Sequence, residues 1–288
     1  MHVLVQAMRT ETFQTPGPVR LDVRLGSGEV RLETSETTET TITLEPLRDN
    51  DASIEAVQEA RVEQRGEEIL VDVRGRRRLL RGADVLVEIR CPEGASVRAK
   101  SGSADIEGHG RFGSVEVETG SGDVQFGDVS GDAEINAASG DVQISQVGGE
   151  VRINTASGDI QVASIGGEAK VNSASGDVMI NKAGGRFEAN SASGDVLVRE
   201  ASSSVGVNTA SGDQMIGAVA QGRVDLKSAS GDLKIGIREG STLWVDARSR
   251  SGDVRSELPV SDLPPEGDAP HVELRANSMS GDITVVRA

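Results

Sequence analysis

Aspartates at a fixed spacing are the residues of this chain that most suggest chemistry. Six of them recur every 18 residues, each closing a Ser-Gly-Asp triplet: Asp123, Asp141, Asp159, Asp177, Asp195 and Asp213. The series continues with Asp105 upstream and with Asp232, Asp253 and Asp282 downstream. A constant period marks a repeat architecture, so the carboxylates should line up along stacked turns, where they could bind cations.

A structural role for the same aspartates is the competing interpretation. Asp side chains often accept backbone N–H bonds within their own turn. The calcium-binding nonapeptide pattern, G-G-x-G-x-D-x-U-x, separates its last glycine from the aspartate, whereas here the aspartate follows glycine directly. The sequence therefore favours structural turns, and we expect neither calcium nor another metal.

Catalytic motifs are not evident. The three histidines, His2, His109 and His271, fall at unrelated points of the repeat. We find no nucleophile elbow, no phosphate loop with its lysine and no paired-cysteine motif. The sequence predicts a protein that is not an enzyme and needs no cofactor.

Three apolar residues share a position that should face outward. Met179, Leu197 and Met215 occupy the same place in successive repeats, where other repeats carry Gln or Lys. They could form a site for a protein partner or for self-association. The alternative is plain exposed surface, because three side chains alone fall short of a usual interface patch.

Trp244, the only tryptophan, is the other candidate for partner binding. The repeat places it in an outward column with Glu134, Arg152, Lys170 and Glu188. It could be covered by a proline-rich insertion nearby, or it could be a recognition aromatic.

The hydrophobic pattern that must position these residues has a period of two. One inward column reads Val124, Val142, Ile160, Val178, Val196, Leu233, Val254 and Ile283. In the second half of the repeat, we expect one column to end in Leu243 and Val272, and the next in Val245 and Leu274. Such alternation, bounded by Gly and Ser, predicts two short strands per repeat. The fold class is therefore all-β: a single-stranded parallel β-helix, or β-solenoid, with 18-residue coils, right-handed as parallel crossovers generally are.

The chain divides into an irregular and a regular part. We expect residues 1–84 to form a β-rich N-terminal cap, with degenerate coils of the same solenoid and one short helix at 49–60 capped by Asp51. Residues 85–288 should form the regular β-solenoid, with a proline-rich insertion at 257–270.

Composition limits the partners and the compartment. The formal net charge of −16 argues against nucleic-acid binding, although residues 74–81 form one basic cluster. No run reaches the roughly 18–20 apolar residues of a membrane span, and the single cysteine, Cys91, allows no intramolecular disulfide. Without an evident leader, we expect a cytoplasmic protein, or a surface protein if a leader precedes this sequence.

The chain resembles a bacterial family of β-strand-repeat proteins of unknown function. The resemblance rests on FQTPGPVRLDVRLGSGEVRL at 13–32, VEIRCPEGASVRAKSGSADI at 87–106 and the repeated SGDV units. Members are often labelled "putative adhesin" and are related to the toast-rack solenoids of envelope-stress systems. The resemblance implies a right-handed single-stranded β-helix with no established activity or catalytic residues.

Three functions remain open at this point. The leading hypothesis is a non-enzymatic scaffold or protein-binding module, linked to envelope stress. A surface adhesin that binds glycan or protein is the second. The third is a self-assembling filament whose contact edge would be 283–286.

Overall fold

The computed structural model describes residues 8–73, 82–258 and 270–288, which contain 25 strands and one helix. The chain forms two compact units that divide after Ile144. The strands build a parallel β-solenoid, which confirms the predicted fold class. The basic cluster at 74–81 and most of the proline-rich insertion lie outside the described residues.

The first unit contains ten strands and the helix. They are β1 (Arg9–Gln14), β2 (Arg20–Ser35), β3 (Glu39–Pro46), α1 (Asp51–Glu59), β4 (Arg61–Arg65), β5 (Glu68–Asp72), β6 (Val85–Pro92), β7 (Ser96–Phe112), β8 (Val115–Ser121), β9 (Val124–Val129) and β10 (Ala133–Ala137). Helix α1 is capped by Asn50, whose side chain accepts the N–H of Ser53 at 2.7 Å. The prediction of Asp51 as the cap is therefore wrong: Asp51 is already the first helical residue.

Strand β2 is stacked out of sequence order. It pairs in parallel with β7 along one edge, and with β5 and β6 along the other. Beyond these, β3 runs antiparallel to β6, β4 runs antiparallel to β5, and β1 runs antiparallel to β3. Antiparallel strands thus follow the parallel ones at this edge of the first unit.

The second unit repeats one coil plan. Its strands are β12 (Val151–Thr155), β13 (Ile160–Ile165), β14 (Ala169–Ser173), β15 (Val178–Ala183), β16 (Phe187–Ser193), β17 (Val196–Ala201), β18 (Val205–Ser211), β19 (Gln214–Val219), β20 (Gly222–Ser230), β21 (Leu233–Ile237), β22 (Thr242–Ser249), β23 (Val254–Ser256), β24 (His271–Ser280) and β25 (Ile283–Arg287). Strand β11 (Val142–Val147) spans the division between the units. From β12 to β20, strands pair in register with their counterparts one repeat away, for example Val178 with Val196.

The last three coils are not stacked in chain order. Strands β24 and β25 pair with β20 and β21 on one side, and with β22 and β23 on the other. The final segment of the chain is therefore inserted between two earlier coils, and β22 with β23 forms the outer coil. The predicted filament edge at 283–286 is wrong, because Ile283 and Val285 are buried within the stack.

The inserted coil also shifts the predicted register by two residues. Val224 pairs with Leu274, which pairs with Val245, so Leu243 and Val272 do not continue the column that ends in Val224. The predicted columns for these last coils are wrong. The repeat length could not reveal this, because a shift of two residues keeps every side chain on the same face.

The core consists of stacked inward residues, with few aromatics. Phe112 and Phe126 meet edge to face at 5.4 Å between ring centroids. Gly108 leaves room for this pair, since a Cβ there would lie 2.4 Å from the Phe126 ring. Sharp Ser-Gly-Asp corners also need glycine: Gly176 has φ of +104°, and a Cβ there would meet the Gly158 carbonyl oxygen at 2.3 Å.

Candidate functional site

The three apolar residues singled out above are direct neighbours on the outward side of the second unit. Met179 pairs with Leu197, and Leu197 with Met215, across β15, β17 and β19. Met179 and Leu197 are half-buried, whereas Met215 is 44% exposed. We call these three residues the apolar stripe. It ends abruptly, at Gln161 on one side and at Lys234 on the other.

The stripe exists because the solenoid keeps its register. Inward neighbours such as Val178 and Ile180 are buried on either side of Met179, which forces the side chain between them outward. Adjacent strands lie about 4.8 Å apart, so three equivalent residues touch in a row. The sequence period therefore locates this surface without further information.

The aspartate ladder runs beside the stripe, two residues earlier in each coil. The N–H of Asp195 donates to Asp177 Oδ1 at 2.8 Å, and the N–H of Asp213 donates to Asp195 Oδ1 at 2.7 Å. In the first unit, the N–H of Asp141 donates to Asp123 Oδ1 at 2.9 Å. In these three pairs the carboxylate accepts a bond from the next coil, whereas the predicted pattern was a bond within its own turn.

These bonds give the ladder a structural role. One oxygen of each carboxylate is used in linking coils, and the side chains are exposed to solvent. Among the described residues, no group of three or more His, Cys, Asp or Glu side chains is placed to hold a metal ion. The ladder's geometry provides an exposed acidic row next to the apolar stripe.

An asparagine ladder marks another outward column of the second unit. The amide of Asn190 donates to Asn172 at 3.0 Å, and Asn208 donates to Asn190 at 3.0 Å. Asn172 in turn donates to Asn154 at 2.8 Å. The amides of this column provide hydrogen-bond partners for one another along the stack. We therefore interpret the column as stabilising the fold.

Trp244 lies apart from the stripe, in the outer coil. It pairs with Glu273, which receives two hydrogen bonds from Arg223, and the Arg275 guanidinium lies 6.0 Å from the indole centroid. The predicted column for Trp244, containing Glu188, is wrong because of the two-residue shift; Asp246 continues that column instead. Arg223 and Arg275 lower the pKa of the Glu273 carboxyl, chiefly through the hydrogen bond from Arg223.

A groove in the first unit was missed by sequence reasoning. It has a volume of about 410 Å³, and charged residues of both signs line it: Arg20, Asp22, Glu68, Arg98, Glu116, Asp132 and Glu134. Arg98 donates to Glu116 at 2.6 Å, and Arg24 pairs with the buried Asp22 at 2.5 Å. Pairing of β2 with β7 brings Arg20 beside Ser96, and no local motif signals so distant a contact.

The family follows from a comparison with known families. A family model described as Toastrack DUF4097 matches residues 19–217 and again residues 186–286. The chain belongs to the Toastrack family. This confirms the resemblance drawn from the SGDV units. No curated protein matches this Toastrack chain.

The solved structures that resemble this Toastrack protein share little sequence with it. A "putative adhesin" from Bacteroides fragilis shares 12% identity over 96% of each chain, with a TM-score of 0.40. A "putative lipid binding protein" from Parabacteroides distasonis shares 11% identity over 96% of each chain, with a TM-score of 0.44. A "putative adhesin" from Parabacteroides merdae shares 14% identity over 96% of this chain and 95% of its own, with a TM-score of 0.37. Likeness at this level carries no argument about function.

Proposed function

We propose that this Toastrack chain is a non-enzymatic protein-binding module, and that the apolar stripe is its contact surface. The observation that carries the proposal is the in-register contact of Met179, Leu197 and Met215 on a face where the neighbouring coils carry Gln161 and Lys234. The three side chains are contiguous rather than scattered, and a partner would extend the contact beyond them, since they are smaller than a usual interface patch by themselves.

The stripe favours a polypeptide partner with apolar side chains. Two of its three residues are methionines, whose flexible thioethers adapt to different partner shapes. Its length, two strand spacings or about 10 Å, suits a short segment that inserts two or three apolar residues.

The aspartate ladder adds a preference for basic partners. Asp177, Asp195 and Asp213 precede the stripe residues by two positions in their coils. A partner segment with Lys or Arg beside its apolar residues would therefore be complementary in charge, which raises association rates and excludes acidic competitors. The partner we expect is a basic, partly apolar protein segment.

The test compares capture from the native cells by two purified variants and the unchanged protein. Met179→Gln, Leu197→Gln and Met215→Gln together should leave the circular dichroism and melting temperature nearly unchanged, and should abolish capture of the partner. The matched control changes Glu107, Gln125 and Gln143, which stand in the equivalent outward column of the first unit, to alanine and should capture normally. Capture that the stripe substitutions leave intact, or that the control also loses, contradicts the proposal.

The compartment is part of the same proposal. Within the described ranges, no helix has both the length and the apolar character needed to cross a membrane. We propose a cytoplasmic module linked to envelope stress, and the rival is a surface adhesin. Protease treatment of intact cells separates them: protection of the protein supports the first, whereas cleavage supports the adhesin.

A further inference from the structure

Within the described ranges, strand β22 in the outer coil of the second unit is paired along one edge only. Of the strands in the described residues, only β24 pairs with it. The N–H of Thr242 donates to Pro270 O at 2.8 Å, and that of Arg250 to Ser278 O at 3.1 Å. Because backbone groups alternate in direction along a strand, the N–H and C=O groups of residues 243, 245 and 247 point to the open edge.

The apolar side chains of this outer coil are also incompletely covered. Val254 is 47% exposed, although its column neighbours Ile283 and Leu233 are fully buried. Leu243 and Val245 are half-buried, in contrast to the buried Leu274 beside Val245. An open strand edge next to exposed core residues favours pairing with another strand.

We propose that β22 pairs antiparallel with β22 of a second copy of this chain, about a two-fold axis at Val245. In this register Val245 faces Val245 of the second copy, and Leu243 faces its Ala247. These are the residues whose backbone groups point outward from the edge, so they form about six inter-chain hydrogen bonds in narrow pairs. The same pairing covers the half-buried Leu243 and Val245 of both copies.

Charges on the opposite side of the strand favour this register. It places Trp244 opposite Asp246 of the second copy, and Thr242 opposite its Arg248, which also lies diagonally next to Trp244. Moving the register by two residues in one direction sets Asp246 against Asp246 of the second copy, and like charges directly opposite are destabilising. Moving it in the other direction leaves fewer residues paired.

A two-fold contact of this kind forms a closed dimer. Each chain uses the same strand, so the pair leaves no second β22 edge for a third chain. The inference predicts a dimer and not a filament. It is independent of the apolar stripe, and its failure would leave the proposed partner binding untouched.

The first test measures the mass of the full chain by sedimentation across a concentration series. We expect a dimer, and we expect Ala247→Pro to be a monomer with an unchanged circular dichroism spectrum. Proline removes the edge-directed N–H of residue 247, a position where an edge strand tolerates it. The matched control Ala247→Val keeps that N–H and should remain a dimer.

A second test stands even if the proline variant misfolds. Val245→Cys should form a disulfide-linked dimer on mild oxidation, because paired Cα atoms about 5.5 Å apart allow a disulfide, and Cys91 is buried. Thr284→Cys, in the inserted coil, should cross-link at least tenfold more slowly. A chain that is monomeric at every concentration, a folded Ala247→Pro dimer, growth beyond two copies, or equal cross-linking at residues 245 and 284 would each overturn the inference.

Discussion

At the residue scale, the aspartates show how one repeated side chain serves stability in this protein. The carboxylate of Asp177 bonds the backbone of Asp195 in the next coil, and the same bond recurs between Asp213 and Asp232. One oxygen of the carboxylate is thereby occupied by a hydrogen bond between two coils. It holds adjacent Ser-Gly-Asp corners in register, which in turn keeps the apolar stripe aligned.

Substitution of Asp177 tests this role. Asp177→Ala removes the acceptor and should lower the free energy of unfolding by about 1 kcal/mol. Asp177→Asn keeps an acceptor oxygen and removes one of several like charges, so it should stay within about 0.5 kcal/mol of the unchanged protein. Denaturant titration with and without calcium measures both. Stabilisation by calcium that Asp177→Asn removes would argue for a cation site instead.

Cys91 offers a probe of the folded core. Burial raises the pKa of its thiol to about 12, so at pH 8 the folded protein should react with Ellman's reagent only as fast as it opens. An unfolded thiol titrates near pH 8.5. The neutral thiol therefore contributes its full stability below that pH, and the contribution is lost as the pH rises towards about 12.

The measurement is a pair of unfolding titrations between about pH 8 and pH 11. Above the unfolded pKa of the thiol, the free energy of unfolding should fall more steeply with pH for the unchanged protein than for Cys91→Ala. The difference in slope should be up to about 1.4 kcal/mol per pH unit. Parallel curves for the two proteins would show that Cys91 ionises without unfolding.

At the element scale, the order of the last coils is the main feature. Strand β25 lies between β21 and β23, so Lys234 neighbours Thr284, and Thr284 neighbours Arg255. Because the C-terminal strands are inserted here, β20 and β21 are paired along both edges, with β18 and β19 on one side and with β24 and β25 on the other. This insertion leaves β22 and the short β23 at the outside of this unit.

A pair of double-cysteine variants tests this order. Lys234→Cys with Thr284→Cys should form an intramolecular disulfide, because the two outward positions are direct neighbours about 4.8 Å apart. Lys234→Cys with Arg255→Cys should not, since one strand separates them. The reverse result, read by non-reducing mass spectrometry of peptides, would mean that the coils follow the chain order.

At the scale of the whole molecule, charge should govern partner binding. The chain carries a formal net charge of −16, and the acidic ladder lies beside the proposed contact surface. Raising the salt from about 0.05 M to about 0.5 M should therefore weaken the complex with a basic partner, mainly through slower association. Surface plasmon resonance at several salt concentrations measures this. Binding that strengthens with salt would indicate an apolar contact without charge complementarity.

Much of the fold and of the candidate site could be predicted from the sequence, because every repeat has the same pattern and the same length. Period-two alternation sets which side chains face inward, and the 18-residue spacing sets which residues become neighbours in parallel strands. Those two facts are sufficient to place Met179 beside Leu197 and to set the aspartates in a row. The helix was located as well, and only its cap was misassigned from Asn50 to Asp51.

Only the tertiary structure decided which coil stacks on which at the chain's ends. Every Ser-Gly-Asp coil offers similar strand edges, so the spacing of Asp232, Asp253 and Asp282 fits chain order and inserted order equally well. The choice depends on non-local pairing: β24 fits between β20 and β22, and β2 fits between β7 and β6. Sequence period fixes neighbours within a uniform stack, whereas the order at its ends is a competition between strand edges that lie far apart in the chain.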